Sequence, residues 1–282
     1  MRWKYFFSQM LVLPIFFSVS FTVLWVFSPS SSIAQTQGSA YYTGSQLCPG
    51  ADSMVIYSPS VVKGKLPVVY LLGGFGSSHR SFQKYLNMDS LATAYNIFIV
   101  CPHSGKESWY FNHPVSDKIQ YEKFFFSKII PLAETHIKID TSKRYITGVS
   151  MGGHGALLYF IKHNNRFAGA GSSSGVLNLK YSKVRDTSIS KILGTYHPTE
   201  NNYWEHSVNG RVGSLKGCRK PVYIDCGTED YLLPAAKEFL EIAHKSGFTT
   251  VNSTFAPGGH NKDYWKNSVP AQLKYFGELG KK

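Results

Sequence analysis

The sequence predicts an α/β fold, a mostly parallel central sheet with helices on both faces. Three observations predict it. Short β-rich runs bounded by Pro and Gly alternate along the chain with segments of helical period. Once an N-terminal segment of different character is set aside, 248 of the 282 residues remain, a usual size for one α/β domain. Near the middle, "YITGVSMGGHGALLYF" turns without a break from a strand-like run into a helix-like one, with a serine between two glycines at the junction.

The elements follow in order. Arg2 and Lys4 precede an apolar run, roughly Phe6 to Phe27, and Ser32-Ile33-Ala34 supplies a small-residue site before Gln35. This predicts a signal peptide over residues 1–34, or an uncleaved anchor, and an exported protein, periplasmic or extracellular. Residues 35–282 then form a single domain, since no repeat, low-complexity block or linker divides them. "SMVIYSP", "LPVVYLLGG" and "YNIFIVCP" read as strands. From Ile119 to His136, Tyr121, Phe124, Phe125, Ile129 and Leu132 fall at helical spacing, with Pro131 placed to bend the helix or start its second part. "KRYITGV" is a strand and Met151 to His163 a helix rich in small residues. "RFAGAGSSSG" is a strand with a loop at its end, and Leu177 to Gly217 has no clean period. "KPVYIDCG" is a strand, "LPAAKEFLEIAHKSG" a helix stopped by Gly247, "TTVNSTFAPGG" a strand, and Lys262 to Leu279 a closing helix.

The formal charge is +13, and loss of Arg2 and Lys4 would leave +11. The lysines and arginines are scattered, with no run longer than two, which excludes a nucleic-acid stripe. They form a solvated basic surface or one suited to an anionic polysaccharide or envelope. Of the four cysteines, Cys101 and Cys226 end strand-like runs, where a buried thiol fits. Cys48 and Cys218, in loop-like sequence, are the better pair for a disulfide. Neither they nor His79, His103, His113, His154 and His206 show a metal-type spacing, so no metal and no cofactor are expected.

Gly148-Val149-Ser150-Met151-Gly152 fits G-x-S-x-G in the required context of strand, sharp turn and helix. A serine nucleophile must stand proud of the sheet on a strained turn, so its neighbours two before and two after must be nearly free of side chain. At the helix N-terminus, the dipole and free N–H groups favour the negative charge of acyl transfer. A base and an acid should follow in the order Ser, acid, His. His244 sits inside a helical period, whereas His260 follows "APGG" on a loop and is the better base. Asp225 lies within a strand pattern. Asp230, in the loop after it, is placed to orient the histidine, with Glu229 as the near alternative. Backbone N–H donors for an oxyanion are expected from Met151 and from Phe75 in "GGFG".

"LPVVYLLGGFGSSHRSF", "ESWYFN", "YITGVSMGGHGALLYF", "AGSSSGVLNL", "DCGTEDYLL" and "GGHNKDYW" resemble, in order and spacing, the esterase D family of α/β hydrolases. That family includes S-formylglutathione hydrolases, feruloyl and acetyl-xylan esterases, tributyrin esterases and the mycobacterial mycolyltransferases. The likeness runs from about Val55 to the C-terminus. It implies the α/β-hydrolase fold, Ser150 as nucleophile, Asp230 as acid, His260 as base and main-chain donors at Phe75 and Met151. Gly73 departs from it, since many members have histidine there.

The expected function is that of an exported serine esterase hydrolysing short-chain or aromatic esters, including acyl groups on polysaccharide. Export disfavours a glutathione thioester. The alternatives are transfer of the acyl group to a sugar or lipid hydroxyl by the same triad, a peptidase on this fold, or a binding protein that has lost catalysis. Trp109, Tyr110, Tyr203 and Trp204 supply an aromatic wall for a sugar or ferulate ring, or else pack in the core. The partner is a small or polysaccharide-linked ester, not nucleic acid, with membrane contact only if the N-terminal segment stays uncleaved.

Overall fold

The computed structural model describes residues 37–114, 116–185 and 188–281. The predicted signal segment lies outside the described residues, and Gln37–Lys282 form one compact unit. Among the described residues no helix is long and apolar enough to cross a membrane.

Eight strands make one sheet: β1 (Ser39–Tyr42), β2 (Ser53–Tyr57), β3 (Leu66–Leu72), β4 (Phe98–Pro102), β5 (Ile139–Gly148), β6 (Gly169–Ser173), β7 (Val222–Gly227) and β8 (Val251–Ala256). Their order is β1-β2-β4-β3-β5-β6-β7-β8. From β4 to β8 every pairing is parallel, and β1 and β2 join antiparallel at one edge. The longer helices are α1 (Met88–Tyr95), α2 (Tyr121–Phe124) and α3 (Ile130–His136) joined by a π-helical turn, then α4 (Met151–Lys162). The aperiodic stretch carries four short helices, α5 (Ser182–Arg185), α6 (Ser190–Leu193), α7 (Asn202–His206) and α8 (Val208–Arg211). Helices α9 (Leu233–Ser246) and α10 (Lys262–Leu279) complete the chain.

Successive strand residues point to opposite faces, and the core divides accordingly. Val68, Tyr70 and Leu72 of β3, with Phe98 and Val100 of β4, pack on one side with Ala133 of α3, Leu157 of α4 and Phe239 of α9. Val69, Leu71, Ile99 and Cys101 face the other side, with Met88 and Ala92 of α1 and Val269, Leu273 and Phe276 of α10. Each fully buried large apolar side chain contributes about 1.5–3 kcal/mol, so both helical layers are held by apolar burial.

Pro131 falls in the first turn of α3, directly after the π-helical turn that interrupts the regular helical bonding. Besides the short helices of the aperiodic stretch, two elements lie outside the sequence expectation, the four-residue edge strand β1 and the eight-residue α1, which Asn87 caps by accepting from the Ser90 amide at 3.0 Å. The disulfide expectation is corrected, for all four cysteines are free. Cys48 packs beside Tyr121 ahead of β2, while Cys218 lies in the loop entering β7. Strands β4, β3, β5 and β6 come between β2 and β7.

The chain leaves β3 toward β4 on one side, and β5 begins a run in the opposite direction on the other. This reversal places the loops after β3 and β5 side by side at the C-terminal ends of the strands, where sheets of this kind open a crevice.

Candidate active site

Val149 extends β5 by one step, its amide donating to the Leu72 carbonyl at 3.1 Å, and the Ser150 amide donates to the Ser173 carbonyl at 3.0 Å. Held from both neighbouring strands, Ser150 takes φ 55° and ψ −120°, a strained conformation for a residue with a side chain, and α4 starts immediately after it. The flanking glycines are needed for close approach. A Cβ on Gly152 would sit 2.2 Å from the Leu72 carbonyl oxygen, and one on Gly148 would sit 2.5 Å from the backbone of Gly152. Ser150 ends 9% exposed, with Oγ at the floor of a crevice.

His260 lies on the loop between β8 and α10, and its Nε2 is 2.9 Å from Ser150 Oγ. On the other edge of the ring, Nδ1 is 2.9 Å from Asp230 Oδ2. Because an ionised carboxylate only accepts, Nδ1 carries the proton and Nε2 offers its lone pair to the serine hydroxyl. Asp230 is buried. Burial alone would raise its pKa, but hydrogen bonds from His260 and from the Leu232 amide hold it below the ordinary value. The two loops are tied together, since the Glu229 amide donates to the Gly258 carbonyl at 3.0 Å. Gly227, at the end of β7, makes room for this, as a Cβ there would lie 2.0 Å from the Gly258 oxygen.

The other acids are elsewhere. Glu229 is exposed beside the site. Asp225, on β7, faces α10, where it accepts from Ser173 Oγ at 2.6 Å and from Gln272 Nε2 at 2.5 Å. Gln272 accepts in turn from Thr147 Oγ1, and Ser268 joins through Ser173. Burial pushes the Asp225 carboxyl up to about 6, against these hydrogen bonds. It braces the helix that follows the His260 loop.

Opposite His260, the Gly73–Gly76 loop brings Phe75 to the crevice, and a Cβ on Gly74 would be 3.4 Å from that of Ser150. Among the described residues the Phe75 amide donates to no protein acceptor. The Met151 amide lies in the first turn of α4, where N–H groups lack intrahelical partners. A serine hydroxyl, an imidazole aligned by a carboxylate, and backbone amides left without a protein acceptor are the groups that acyl transfer uses.

The model of the family described as "Putative esterase" matches residues 50–276. The chain belongs to that esterase family. It is accordingly a carboxylic ester hydrolase. It is similar to an acetyl esterase of Caldicellulosiruptor saccharolyticus, 23% identical over 246 residues, covering 79% of this chain and 88% of that one. An esterase of Mycobacterium tuberculosis is 36% identical over 121 residues, covering 40% of this chain and 26% of its own. Among solved structures, an S-formylglutathione hydrolase from Agrobacterium tumefaciens superposes with a TM-score of 0.72 at 19% identity, covering 85% of this chain and 94% of that one. That superposition carries the fold, an α/β hydrolase.

In the esterase, two cavities meet at Ser150 and Phe75. The larger, about 340 Å³, is also lined by His260, Trp265, Tyr85, Lys84 and Lys262. The smaller, about 170 Å³, is lined by Trp109, Met151, Val176, Val184, Lys183 and Tyr231. Of the aromatic wall expected from sequence, only Trp109 reaches the site, its indole N–H donating to Ser188 Oγ at 2.9 Å. Tyr110 is corrected to a core residue. It is fully buried, and its hydroxyl donates to the Gly73 carbonyl at 2.7 Å, steadying the Phe75 loop from beneath. Trp204 is corrected likewise. It lines a separate open cavity with Tyr181, Asn201 and Glu238, and Tyr203 is buried behind it.

His154 is buried on α4, with Nδ1 3.0 Å from the Val176 carbonyl, and burial pushes its pKa down to about 4. It is a neutral brace for Val176, whose own amide donates to the Ser150 carbonyl at 3.2 Å. Residues missed by sequence reasoning include Trp265, whose ring meets His260 edge-on at 5.2 Å, and Tyr231, 5.0 Å from it. Both stand in stretches already quoted, five residues after His260 and one after Asp230. Their nearness to those two was the available signal.

Proposed function

We propose that this esterase is an exported serine hydrolase that cleaves short-chain or aromatic carboxylic esters, including acyl groups on polysaccharide. It does so through an acyl-enzyme on Ser150. The observation that carries the reading is the unbroken chain from Ser150 Oγ through the His260 ring to Asp230, with 2.9 Å at each step, set on the strained elbow. His260 Nε2 takes the serine proton as Oγ attacks the ester carbonyl, and the amides of Phe75 and Met151 hold the oxyanion. The imidazolium, stabilised by Asp230, then protonates the departing alcohol. Water attacks the acyl-enzyme by the reverse path, and Ser150 is restored. Export is supported by the basic, apolar and small-residue order of residues 1–34.

The test compares wild type with Ser150→Ala on p-nitrophenyl acetate and butyrate, methyl ferulate and acetylated xylan. Wild type should hydrolyse at least one of them, and the variant should fall by about 10⁴-fold or more. A fluorophosphonate probe should label the wild type at Ser150 only. Full activity in the alanine variant would refute the mechanism. N-terminal sequencing of protein recovered outside the cytoplasm should begin at Gln35.

A further inference from the structure

The two cavities at Ser150 differ in which machinery they touch. His260 lines the larger and not the smaller, while Met151, with its oxyanion amide, lines the smaller and not the larger. A tetrahedral carbon on Ser150 Oγ has three further substituents. Its oxyanion turns to the amides, and its leaving oxygen must turn to His260 Nε2 to be protonated. The acyl remainder takes the third direction. The larger lobe therefore receives the alcohol, and the smaller receives the acyl group, among Trp109, Val176 and Val184.

The charge of the alcohol lobe is of one sign. Its lining includes Lys84, at the end of a 3₁₀ turn, and Lys262, at the start of α10, together with Ser77 and Ser81. No carboxylate lines either lobe among the described residues, and the third charged group, Lys183 in the acyl lobe, is also a cation lying 5.0 Å over the Tyr231 ring. Nearby acids offset these cations only in part, Asp263 interacting with Lys262 as well as with Lys266. Asp230 has no exposed side-chain surface and is bonded to His260. Asp263, next to Lys262, is paired with Lys266 at 2.9 Å. Glu229 lies in the exposed adjoining loop, outside both linings. Among the described residues neither Lys84 nor Lys262 forms an ion pair.

We propose that the Lys84–Lys262 lobe selects esters whose alcohol carries a negative charge, a carboxylate or a phosphate, with a small acyl group seated in the opposite lobe. This inference rests on the Ser150 esterase reading. Two exposed cations flanking a crevice give a modest, salt-sensitive preference that favours capture of the anion and leaves the bond-breaking step unchanged.

Four aryl acetates differing in one group test it: 3-acetoxybenzoate, 3-acetoxyphenylphosphonate, the neutral 3-acetoxybenzamide and the cationic 3-acetoxy-N,N,N-trimethylanilinium. After correction for spontaneous hydrolysis, wild type should favour the anionic esters over the amide by about tenfold in kcat/KM, carried by KM, and should disfavour the cation. The preference should shrink in 0.5 M NaCl. It should fall to about one in the Lys84→Gln/Lys262→Gln double variant and persist in Lys245→Gln, a remote surface change. Because the readout is a ratio within each variant, partial loss of folded protein does not affect it. A phosphonate preference would point to phosphorylated alcohols, and a benzoate preference to acidic ones such as uronates. A wild-type ratio near one, or a preference that survives in the double variant, overturns the inference while the esterase reading stands. No hydrolysis of any acetate, with no fluorophosphonate labelling, overturns both.

Discussion

Asp225→Asn tests the brace behind the active site in a way that isolates one proton. In the folded protein the Asp225 carboxyl is fully enclosed and its pKa rises from the ordinary 3.8 to about 6, because burial outweighs the donors Ser173, Gln272, Tyr264 and Ser268. A carboxyl that binds its proton more tightly when folded adds stability at low pH. That contribution is complete below the unfolded value and is lost as pH rises through about 6. Between 3.8 and about 6, at about 1.4 kcal/mol per pH unit, the full effect is about 3 kcal/mol, of which about 2 kcal/mol falls between pH 4.5 and pH 7.5. Asparagine is of the same size, still accepts one hydrogen bond, and can donate to a serine hydroxyl that turns to receive it. Urea unfolding of wild type and variant, measured across that range, should therefore show wild type losing about 2 kcal/mol relative to Asp225→Asn as pH rises. Parallel curves, or a relative gain by wild type, would refute the assignment of an enclosed, proton-binding carboxyl to this network.

Two further substitutions probe the site itself. Gly152→Ala would drive a Cβ to 2.2 Å from the Leu72 carbonyl oxygen, which is backbone and cannot swing aside. About 3 kcal/mol of destabilisation is expected, seen as a thermal midpoint lower by roughly 10 °C, and an unchanged melt would mean that α4 does not press on β3 as described. Asp230→Asn keeps the shape of the group but lets an amide face the histidine, favouring the wrong tautomer. A loss of about 10⁴-fold in kcat on p-nitrophenyl acetate with an unchanged melt is expected, whereas a loss under tenfold would remove Asp230 from the mechanism.

What could be read from the chain alone was local. The strands from β2 onward, the longer helices other than α1 and the elbow all announce themselves within about fifteen residues, because each depends on apolar period, Pro and Gly stops, or two glycines around a serine. His260 was legible because only two histidines follow the candidate acid, and of these His244 sits in a helical period while His260 stands on a glycine-marked loop. Strand β1 was not, since "SAYY" has little pattern of its own and becomes a strand only because the edge of β2 is open to pair with it. Adjacent residues could also part company. Trp109 and Tyr110 both take positive φ, 47° and 62°, and that sharp turn sends the first to the acyl lobe and the second into the core.

The sequence by itself determined the order of the elements, the elbow and the residue types that acyl transfer needs, since these are written in short stretches whose physics is local. Only the tertiary structure decided which aromatic rings face the substrate, that Asp230 and not Asp225 or Glu229 meets the histidine, that the cysteines stay apart, and that Lys84 and Lys262 share one lobe. Those outcomes depend on which strands lie between two positions and on which loops meet at the sheet's reversal between β3 and β5. Such distances arise only when segments far apart in the chain pack together.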